Sequence, residues 1–352
     1  PSSDHRRLSN QAGQLSWVED DAGRLYLGYD SRGRETDRIR RWPDGRKHTT
    51  WSDFDANGRL VRRGYPDGSA LDFQYDEQGQ LRHAGPIIEQ VTWTPWHGLD
   101  SVTYGNGVTD ERHYDSRLRV ERLVATGSAG ALRDLTFIRD DASRITTQTD
   151  GRQNPGKTDL SAEFVYDHLG RLNHAIDGQG TTRWTYDDVA NILSVTSDYA
   201  DTFLNIVNEY GENGAGPDQL TTHGSEELTY DRGGRLTSDG TRTLTWNAAG
   251  RLVRMEREGF VEQYVYDHDG QRAIRRTTHN GRTEEIRTIT RDSEDREGKL
   301  VRYVHLGDDR VVRHDALGGG GATAAGETSA AAGMTGGSLG FRAAAVALLC
   351  LL

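Results

Sequence analysis

Hydrophobic and polar residues alternate in short runs along most of this chain. Residues 71–75 read Leu-Asp-Phe-Gln-Tyr and residues 243–246 read Thr-Leu-Thr-Trp. A period of two residues is typical of a β-strand with one buried face. No stretch of any length has the 3.6-residue period of an amphipathic helix. The pattern therefore predicts an all-β protein.

A short motif recurs between these alternating runs, and residues 166–172 give its fullest form, Tyr-Asp-x-x-Gly-Arg-Leu. Two gaps between copies, 76–115 and 187–231, are long enough to contain one further copy each without the motif residues. With those copies included the mean separation is about 22 residues, which indicates a repeat architecture. The aspartate position is occupied by Asp30, Asp55, Asp76, Asp115, Asp140, Asp167, Asp187, Asp231, Asn247 and Asp267.

The motif has the chemistry of a hairpin turn. Asp167 suits the first position of a type I turn, and Gly170 suits the left-handed position that follows it. Residues 168–170 are therefore predicted to form a three-residue hairpin loop with a G1 bulge. Asp167 then faces Arg171 as an opposite-charge pair, and Tyr166 faces Leu172.

This geometry requires an aromatic and an aliphatic residue six positions apart. Tyr29/Glu35 and Tyr266/Arg272 break the rule at the second member. In two other copies Leu118 and Ala190 replace the turn glycine, so the loops of those two copies are predicted to be longer or strained. The pairs that keep the separation include Phe54/Leu60, Tyr75/Leu81, Tyr114/Val120, Tyr166/Leu172, Tyr186/Ile192, Tyr230/Leu236 and Trp246/Leu252.

Other turn signals lie between copies of the motif. Residues 42–46, 65–69, 238–241 and 279–282 contain Asp-Gly or Asn-Gly, which predict two-residue hairpin loops. Strand, motif turn, strand and second turn thus alternate many times. The sequence predicts a long antiparallel meander of β-hairpins.

Composition limits how this meander is packed. Only 34% of the 352 residues are hydrophobic, 28% are charged and 42 are glycine. This is too apolar for simple disorder but too lean for a solid core, and a sheet of so many strands must curl. The interior of the curl is therefore predicted to be roomy and partly polar. A net charge of −11 without a basic run disfavours nucleic-acid binding, and one cysteine excludes an internal disulfide framework.

The repeated acidic residues and the histidines are the candidates for a catalytic or metal-binding site. The repeated carboxylates could suggest a paired-acid hydrolase, but they occupy the turn-initiating position where aspartate is favoured whatever the function. Residues 292–298 lack the ligand alternation of a calcium loop and are predicted to be a solvated loop. We expect no catalytic, cofactor-binding or metal-binding residue, no cofactor and no enzymatic activity. The histidines have no metal-ligand spacing: His113, His168 and His268 flank or occupy motif turns, and His174 lies on a predicted strand.

These motifs closely resemble the YD repeats of the Rhs (rearrangement hotspot) family, which also occur in teneurins and in the C components of insecticidal Tc toxin complexes. The resemblance covers roughly residues 15–315, and residues 298–315 are similar to the stretch before the core region of the bacterial members. It implies a ribbon of sheet that spirals into a hollow shell around a C-terminal toxin, which the core region releases by self-cleavage. The Asp-Pro-x-Gly core motif is not found after residue 315, so no self-cleavage residue is assigned.

The resemblance implies a non-catalytic shell segment, here only part of a shell, of a bacterial Rhs-type polymorphic toxin. Its expected partner is an encapsulated polypeptide toxin missing from this chain, with a shell-completing or secretion partner possible. The expected location is secreted or cell-surface. The alternative is a cell-surface YD-repeat adhesin or carbohydrate-binding protein, in which the repeated aromatic rings would stack on sugars along an exposed face.

The domain organisation follows from composition. Residues 1–315 are expected to form the YD-repeat segment, 316–340 a linker rich in Gly, Ala, Ser and Thr, and 341–352 a short apolar tail. The uncharged run 343–352 is about half of what a membrane-spanning helix needs, so no membrane anchor is expected. The tail is interpreted as an out-of-frame or truncated end. Pro1 and the lack of a signal peptide indicate a piece of a longer protein whose export signals lie elsewhere.

Overall fold

The computed structural model describes residues 8–153, 159–199, 205–212, 214–306 and 309–315. In these ranges the chain forms β-strands and no helix, as the alternation predicts. The predicted linker 316–340 and tail 341–352 lie outside the described residues. The strands are β1 Trp17–Asp20, β2 Gly23–Tyr29, β3 Glu35–Arg41, β4 Lys47–Phe54, β5 Leu60–Gly64, β6 Ala70–Tyr75, β7 Leu81–Ala84, β8 Ile88–Trp93, β9 Leu99–Tyr104, β10 Thr109–Tyr114, β11 Val120–Gly127, β12 Gly130–Arg139, β13 Ile145–Asp150, β14 Ala162–Tyr166, β15 Leu172–Asp177, β16 Gly180–Tyr186, β17 Ile192–Ser197, β18 Asn205–Tyr210, β19 Leu220–His223, β20 Glu226–Glu227, β21 Thr229–Tyr230, β22 Leu236–Ser238, β23 Thr243–Trp246, β24 Leu252–Arg257, β25 Phe260–Tyr266, β26 Arg272–His279, β27 Arg282–Thr290, β28 Ser293–Arg296, β29 Lys299–Leu306 and β30 Asp309–Asp315.

Consecutive strands pair with each other in antiparallel fashion, except β20 and β21, which belong to different sheets, so the predicted meander is confirmed. The strands divide into two compact units. Among the described residues, unit 1 contains 8–97, 102–106 and 245–315, and unit 2 contains 98–101 and 107–244. No helix in the described part of the chain is long and apolar enough to cross a membrane.

The motif turns have the predicted geometry. The Gly170 N–H donates to the Asp167 carbonyl oxygen at 3.0 Å, and the Asp167 N–H donates to the Arg171 carbonyl oxygen at 2.8 Å. Tyr166 pairs with Leu172, and a register shift just before Tyr166 marks the bulge. Gly170 has φ of 83° and Gly234 has φ of 77°, so both predicted positive φ angles are confirmed. The turns at 76–80, 231–235 and 247–251 have the same pair of backbone hydrogen bonds.

The six-residue register also holds where the sequence breaks the rule. Tyr29 pairs with Glu35 and Tyr266 pairs with Arg272, because loop length and turn type set the register whichever side chains follow. Both copies expected inside the long gaps are present. The first is a turn in which the N–H of His97 donates to the carbonyl oxygen of Thr94 at 2.9 Å. In the second, Tyr210 pairs with Leu220 across a longer loop.

Loops without the turn glycine were predicted to be longer or strained, and the structure shows the second of these alternatives. Leu118 and Ala190 close loops of ordinary length with φ of 62° and 73°. Ser143 takes the glycine position of the Asp140 copy in the same way, with φ of 71°. The sequence analysis did not single out this replacement. These residues adopt backbone angles in the left-handed region, which is costly for residues other than glycine. The strand pairs on both sides of each loop fix its length.

Two of the predicted two-residue loops are in fact three-residue loops. The Gly45 N–H donates to the Trp42 carbonyl oxygen at 2.9 Å, and the Gly68 N–H donates to the Tyr65 carbonyl oxygen at 3.0 Å. Proline at the first loop position fixes φ near the value of a type I turn, so Pro-Asp-Gly copies the motif geometry. The loop at 279–282 is a two-residue loop as predicted, with Asn280 and Gly281 both at positive φ.

The prediction of a solvated loop at 292–298 is also wrong. Residues 293–296 form β28, in which Ser293 is fully buried and Asp295 is 6% exposed. The acids tolerate burial because polar or charged side chains face them. His48 Nε2 lies 3.3 Å from Asp295 Oδ2, and Arg296 lies 3.0 Å from Glu294.

Hydrophobic packing is divided among small clusters on one face of the hairpins. In unit 2 the aromatic rings of Phe137 and Phe164 pack with three buried aliphatic residues. In unit 1 Leu25, Leu27 and Tyr29 form another cluster. The unit 2 cluster draws on residues of β11, β12, β13 and β14, so the packing of one hairpin there depends on the next.

Replacing Gly170 by Val is expected to destabilise unit 2 by about 1–2 kcal/mol, because a branched residue is forced into the left-handed region. A Cβ there would also lie 3.2 Å from Arg144 Nη1. Gly178→Val is the control, since nothing lies within 4 Å of a Cβ at that exposed glycine. Urea unfolding measures both variants. Equal loss in the two variants would contradict the turn geometry.

Candidate functional site: the Tyr-Asp ladder

Each motif aspartate is bonded within its own turn. Asp167 Oδ1 accepts the backbone N–H groups of Leu169 and Arg171, each at 2.9 Å, and Oδ2 accepts Arg171 Nε at 2.7 Å. The same arrangement recurs at Asp115, where the Arg119 side chain and the backbone N–H groups of the loop lower the pKa to about 2. Both carboxylate oxygens are thereby used inside the turn.

The motif tyrosines from Tyr75 onward each donate a hydrogen bond to the preceding repeat. The Tyr186 hydroxyl donates to the Leu172 carbonyl oxygen at 2.7 Å, and the Tyr75 hydroxyl donates to the Leu60 carbonyl oxygen at 2.8 Å. The acceptor is the residue that follows the position of the motif arginine one repeat earlier, whether or not that position is occupied by arginine. Equivalent bonds run from Tyr114 to Leu99, from Tyr166 to Ile145, from Tyr210 to Ile192, from Tyr230 to Leu220 and from Tyr266 to Leu252.

Each motif arginine also reaches the following repeat. The guanidinium of Arg171 lies 4.6 Å from the ring centroid of Tyr186, and its Nη1 donates to the Asp187 carbonyl oxygen at 2.9 Å. A cation over a tyrosine face at this distance is attracted by the ring quadrupole. The same stacking joins Arg34 to Phe54, Arg59 to Tyr75, Arg144 to Tyr166 and Arg251 to Tyr266.

We call this row of contacts the Tyr-Asp ladder, defined by the motif residues from 29–35 through 266–272. Sequence reasoning placed the contacts within a hairpin correctly but missed those between repeats. Two signals pointed to them. Tyrosine is used in preference to phenylalanine in most copies, which indicates that the hydroxyl has a partner. Arginine is never replaced by lysine, which indicates stacking or a forked hydrogen bond.

The histidines considered from the sequence have separate local partners. His174 Nδ1 lies 2.9 Å from Asn173 Oδ1, His113 Nε2 lies 3.8 Å from Glu111, and His268 Nδ1 lies 3.5 Å from Asp20 Oδ2. His168 is exposed on a turn. Within the part of the chain that the structure describes, no group of three or more His, Cys, Asp or Glu residues could hold a metal ion.

Unit 1 contains a second type of contact, between residues far apart in the chain. Arg287 Nη2 donates to Asp44 at 2.6 Å, and its guanidinium lies 5.4 Å from the ring centroid of Trp42. Arg302 likewise donates to Asp67 at 2.5 Å and lies 4.9 Å from the ring centroid of Tyr65. Each aromatic-Pro-Asp-Gly loop thus binds one arginine through both charge and stacking. These two clasps join the loops before β4 and β6 to β27 and β29.

Comparisons with known proteins agree with this geometry. A family model described as Teneurin YD-shell matches residues 90–286, and the RHS Repeat model matches residues 54–85. The chain therefore belongs to the teneurin YD-shell family. The predicted resemblance and the predicted fold class are both confirmed.

Solved structures show the same fold. A chain of the crystal structure of TcdB2-TccC3-TEV has a TM-score of 0.72 at 19% identity, over 90% of this chain and 19% of that chain. The crystal structure of TcdB2-TccC3-Cdc42 gives 0.71 at 18% identity, over 88% and 19%. A Tc holotoxin pore from Photorhabdus luminescens gives 0.68 at 18% identity, over 87% and 18%. The chain spans about a fifth of the length of these chains. No curated protein matches it in sequence.

Removing one ladder hydroxyl is expected to weaken the joint between two repeats. Tyr186→Phe keeps the ring under Arg171 but leaves the Leu172 carbonyl oxygen without this donor, at a cost of about 1 kcal/mol. Tyr26→Phe, at a half-buried tyrosine outside the ladder, is the control and should change stability less. Urea unfolding at neutral pH makes the comparison. A Tyr186→Phe variant as stable as the parent would contradict the role of the hydroxyl.

Acid is expected to destabilise the ladder through its turn carboxylates. The pKa of Asp115 is about 2 in the folded chain against 3.8 for an ordinary aspartate. Between about pH 4 and pH 2 the unfolded chain therefore binds a proton at residue 115 that the folded chain does not, and stability falls as the pH drops.

Asp115→Asn should make the free energy of unfolding fall less steeply across that window, since asparagine cannot titrate and Asn247 shows that it fits the turn. Asp188→Asn, at an exposed turn residue, is the control. Urea titrations at a series of pH values give the slopes. An Asp115→Asn slope equal to that of the parent would contradict the assignment.

Proposed function

We propose that this chain is a non-catalytic wall segment of a shell that encloses a polypeptide toxin. The observation that carries the proposal is the Tyr-Asp ladder. Its hydroxyl, guanidinium and carboxylate groups hydrogen-bond to the backbone and side chains of the same or the adjacent repeat. These are the groups that could otherwise have taken part in catalysis. A motif used in this way builds a continuous wall.

Family membership and fold support the same function. The chain has the fold of chains solved in TcdB2-TccC3 complexes and covers about a fifth of their length. We infer that it is one stretch of a longer wall and that further repeats extend it. We also infer a bacterial toxin that is secreted or displayed at the cell surface. The enclosed partner is a toxin domain attached after the shell.

The alternative, a carbohydrate-binding adhesin, needs a row of open aromatic faces. In the ladder the faces of Tyr75, Tyr166 and Tyr186 are covered by arginines 4.6–5.0 Å from the ring centroids. Trp17 and Trp96 are about half exposed but lie far apart in sequence and outside the ladder row. The arrangement of the rings therefore favours a wall over a sugar-stacking surface.

Proteolysis of the full-length parent protein tests enclosure. The C-terminal domain should be digested at least about tenfold more slowly when it is attached to the shell than when it is free, because a protease reaches only the opened state. A mixture of the free domain with a shell lacking it controls for competition between substrates. Equal digestion rates for the attached and the free domain would exclude enclosure and favour the adhesin.

A further inference from the structure

Four Asn-Gly dipeptides occur in the chain, and three of them lie in the part that the structure describes, each exposed on a loop. These are Asn57-Gly58, Asn106-Gly107 and Asn280-Gly281. Asparagine before glycine is chemically labile, because glycine has no Cβ to shield its backbone nitrogen from the preceding side-chain amide. The first and the last of the three differ in whether their loop holds the glycine N–H.

The loop at Asn57 holds the glycine nitrogen. The Gly58 N–H donates to the Asp55 carbonyl oxygen at 3.1 Å, and the Asn57 N–H donates to Asp55 Oδ1 at 2.9 Å. The other carboxylate oxygen of Asp55 accepts Arg59 Nε at 2.6 Å. The nitrogen of Gly58 is therefore fixed inside a motif turn and becomes free only when that turn opens.

The loop at Asn280 leaves the glycine nitrogen free. The Asn280 N–H donates to the Gly259 carbonyl oxygen at 3.2 Å, but within the described part of the chain the Gly281 N–H has no hydrogen-bond acceptor. Nothing lies within 4 Å of the Cβ position of Gly281, and residues 279–284 are all exposed. A hairpin end with so few contacts opens locally at little cost. The side-chain amide of Asn280 can therefore approach the Gly281 nitrogen while the strands stay paired.

We propose that Asn280 is a site of spontaneous deamidation and that it is modified faster than Asn57. The backbone nitrogen of Gly281 loses its proton to solvent and attacks Cγ of Asn280, and the side-chain nitrogen takes up a proton and leaves as ammonia. Water then opens the cyclic imide at either carbonyl carbon, which yields aspartate or isoaspartate. This inference does not depend on enclosure of a toxin.

The modification should loosen the end of the β26–β27 hairpin. Isoaspartate places an additional carbon in the backbone of a two-residue loop, which disturbs the pair of His279 with Arg282 that closes the hairpin. The new carboxylate gains little from Arg282, whose Nη2 already lies 3.4 Å from Glu284 and 3.7 Å from Glu297. Arg287, which forms one of the clasps, is at the other end of the same strand pair and should keep its contacts.

Incubation of the whole folded chain at mildly alkaline pH and body temperature, followed by peptide mapping with mass spectrometry, tests the proposal. Isoaspartate is identified in the same peptides by enzymatic methylation. The free peptide acetyl-Thr-His-Asn-Gly-Arg amide is incubated alongside as the reference for an unrestrained dipeptide. We expect Asn280 to convert at least about fivefold faster than Asn57, because the hydrogen bond of Gly58 must break before its nitrogen can attack.

Variants locate the reaction. Gly281→Ala should slow conversion at Asn280 and leave Asn57 unchanged, because the added Cβ shields the attacking nitrogen and meets no neighbouring atom. Asn280→Ser keeps Gly281 and removes the amide, so it should abolish most of the isoaspartate that the parent chain accumulates. If Gly281→Ala lowers the thermal midpoint through its left-handed backbone, Asn280→Ser decides the outcome.

Three results would overturn the proposal. The first is conversion at Asn57 that is as fast as conversion at Asn280. The second is an Asn280 that is still intact when the free peptide has converted completely. The third is an Asn280→Ser variant that accumulates as much isoaspartate as the parent chain.

Discussion

The contact between the arginine of one repeat and the aromatic ring of the next is the interaction on which the rest of this structure depends. A single hairpin of this kind is marginally stable in water, and only 34% of the residues are hydrophobic. Arg171 connects its own turn to Tyr186 and to the Asp187 carbonyl oxygen at once. The meander is therefore stabilised from repeat to repeat along its motif turns.

The turn glycine contributes to the arginine–aromatic contact between repeats as well as to the turn. Gly170 supplies the positive φ that closes the loop, and the space beside it is occupied by Arg144 of the preceding repeat. Where Leu118, Ser143 or Ala190 stands at this position, the loop keeps its length and the residue adopts a left-handed conformation. Local strain is accepted because the strand pairs on both sides fix the register.

The sequence predicted what is local and missed what is distant. Turn type, register and the intrahairpin pair of Asp167 with Arg171 follow from spacing, because the residues involved are within six positions of each other. The Pro-Asp-Gly loops were assigned the wrong length. Proline occupies the first loop position, so Asp-Gly fills only the second and third positions of a three-residue loop. Burial of Asp295 could not be predicted, because its partner His48 is far away in the chain. The clasps of Arg287 and Arg302 were missed for the same reason.

The same limit applies to a cleft of about 450 Å³ in unit 1. Phe73, Tyr75 and Trp93 line one side of it, but the opposite side comes from residues 291–306, about 200 positions further along the chain. Neither periodicity nor turn chemistry brings those two segments together. The family resemblance gave the all-β repeat architecture, and only the structure shows which distant segments come together.

The most direct test of coupling between repeats is a double-mutant cycle on Arg171 and Tyr186. The free energy of unfolding is measured for Arg171→Gln, Tyr186→Leu and the double variant, with Arg171 and Tyr230 as a control pair in non-adjacent repeats. We expect a coupling energy of about 0.5–1 kcal/mol for the stacked pair and additivity for the control pair. Additivity within about 0.3 kcal/mol for Arg171 and Tyr186 would contradict the central role of this contact.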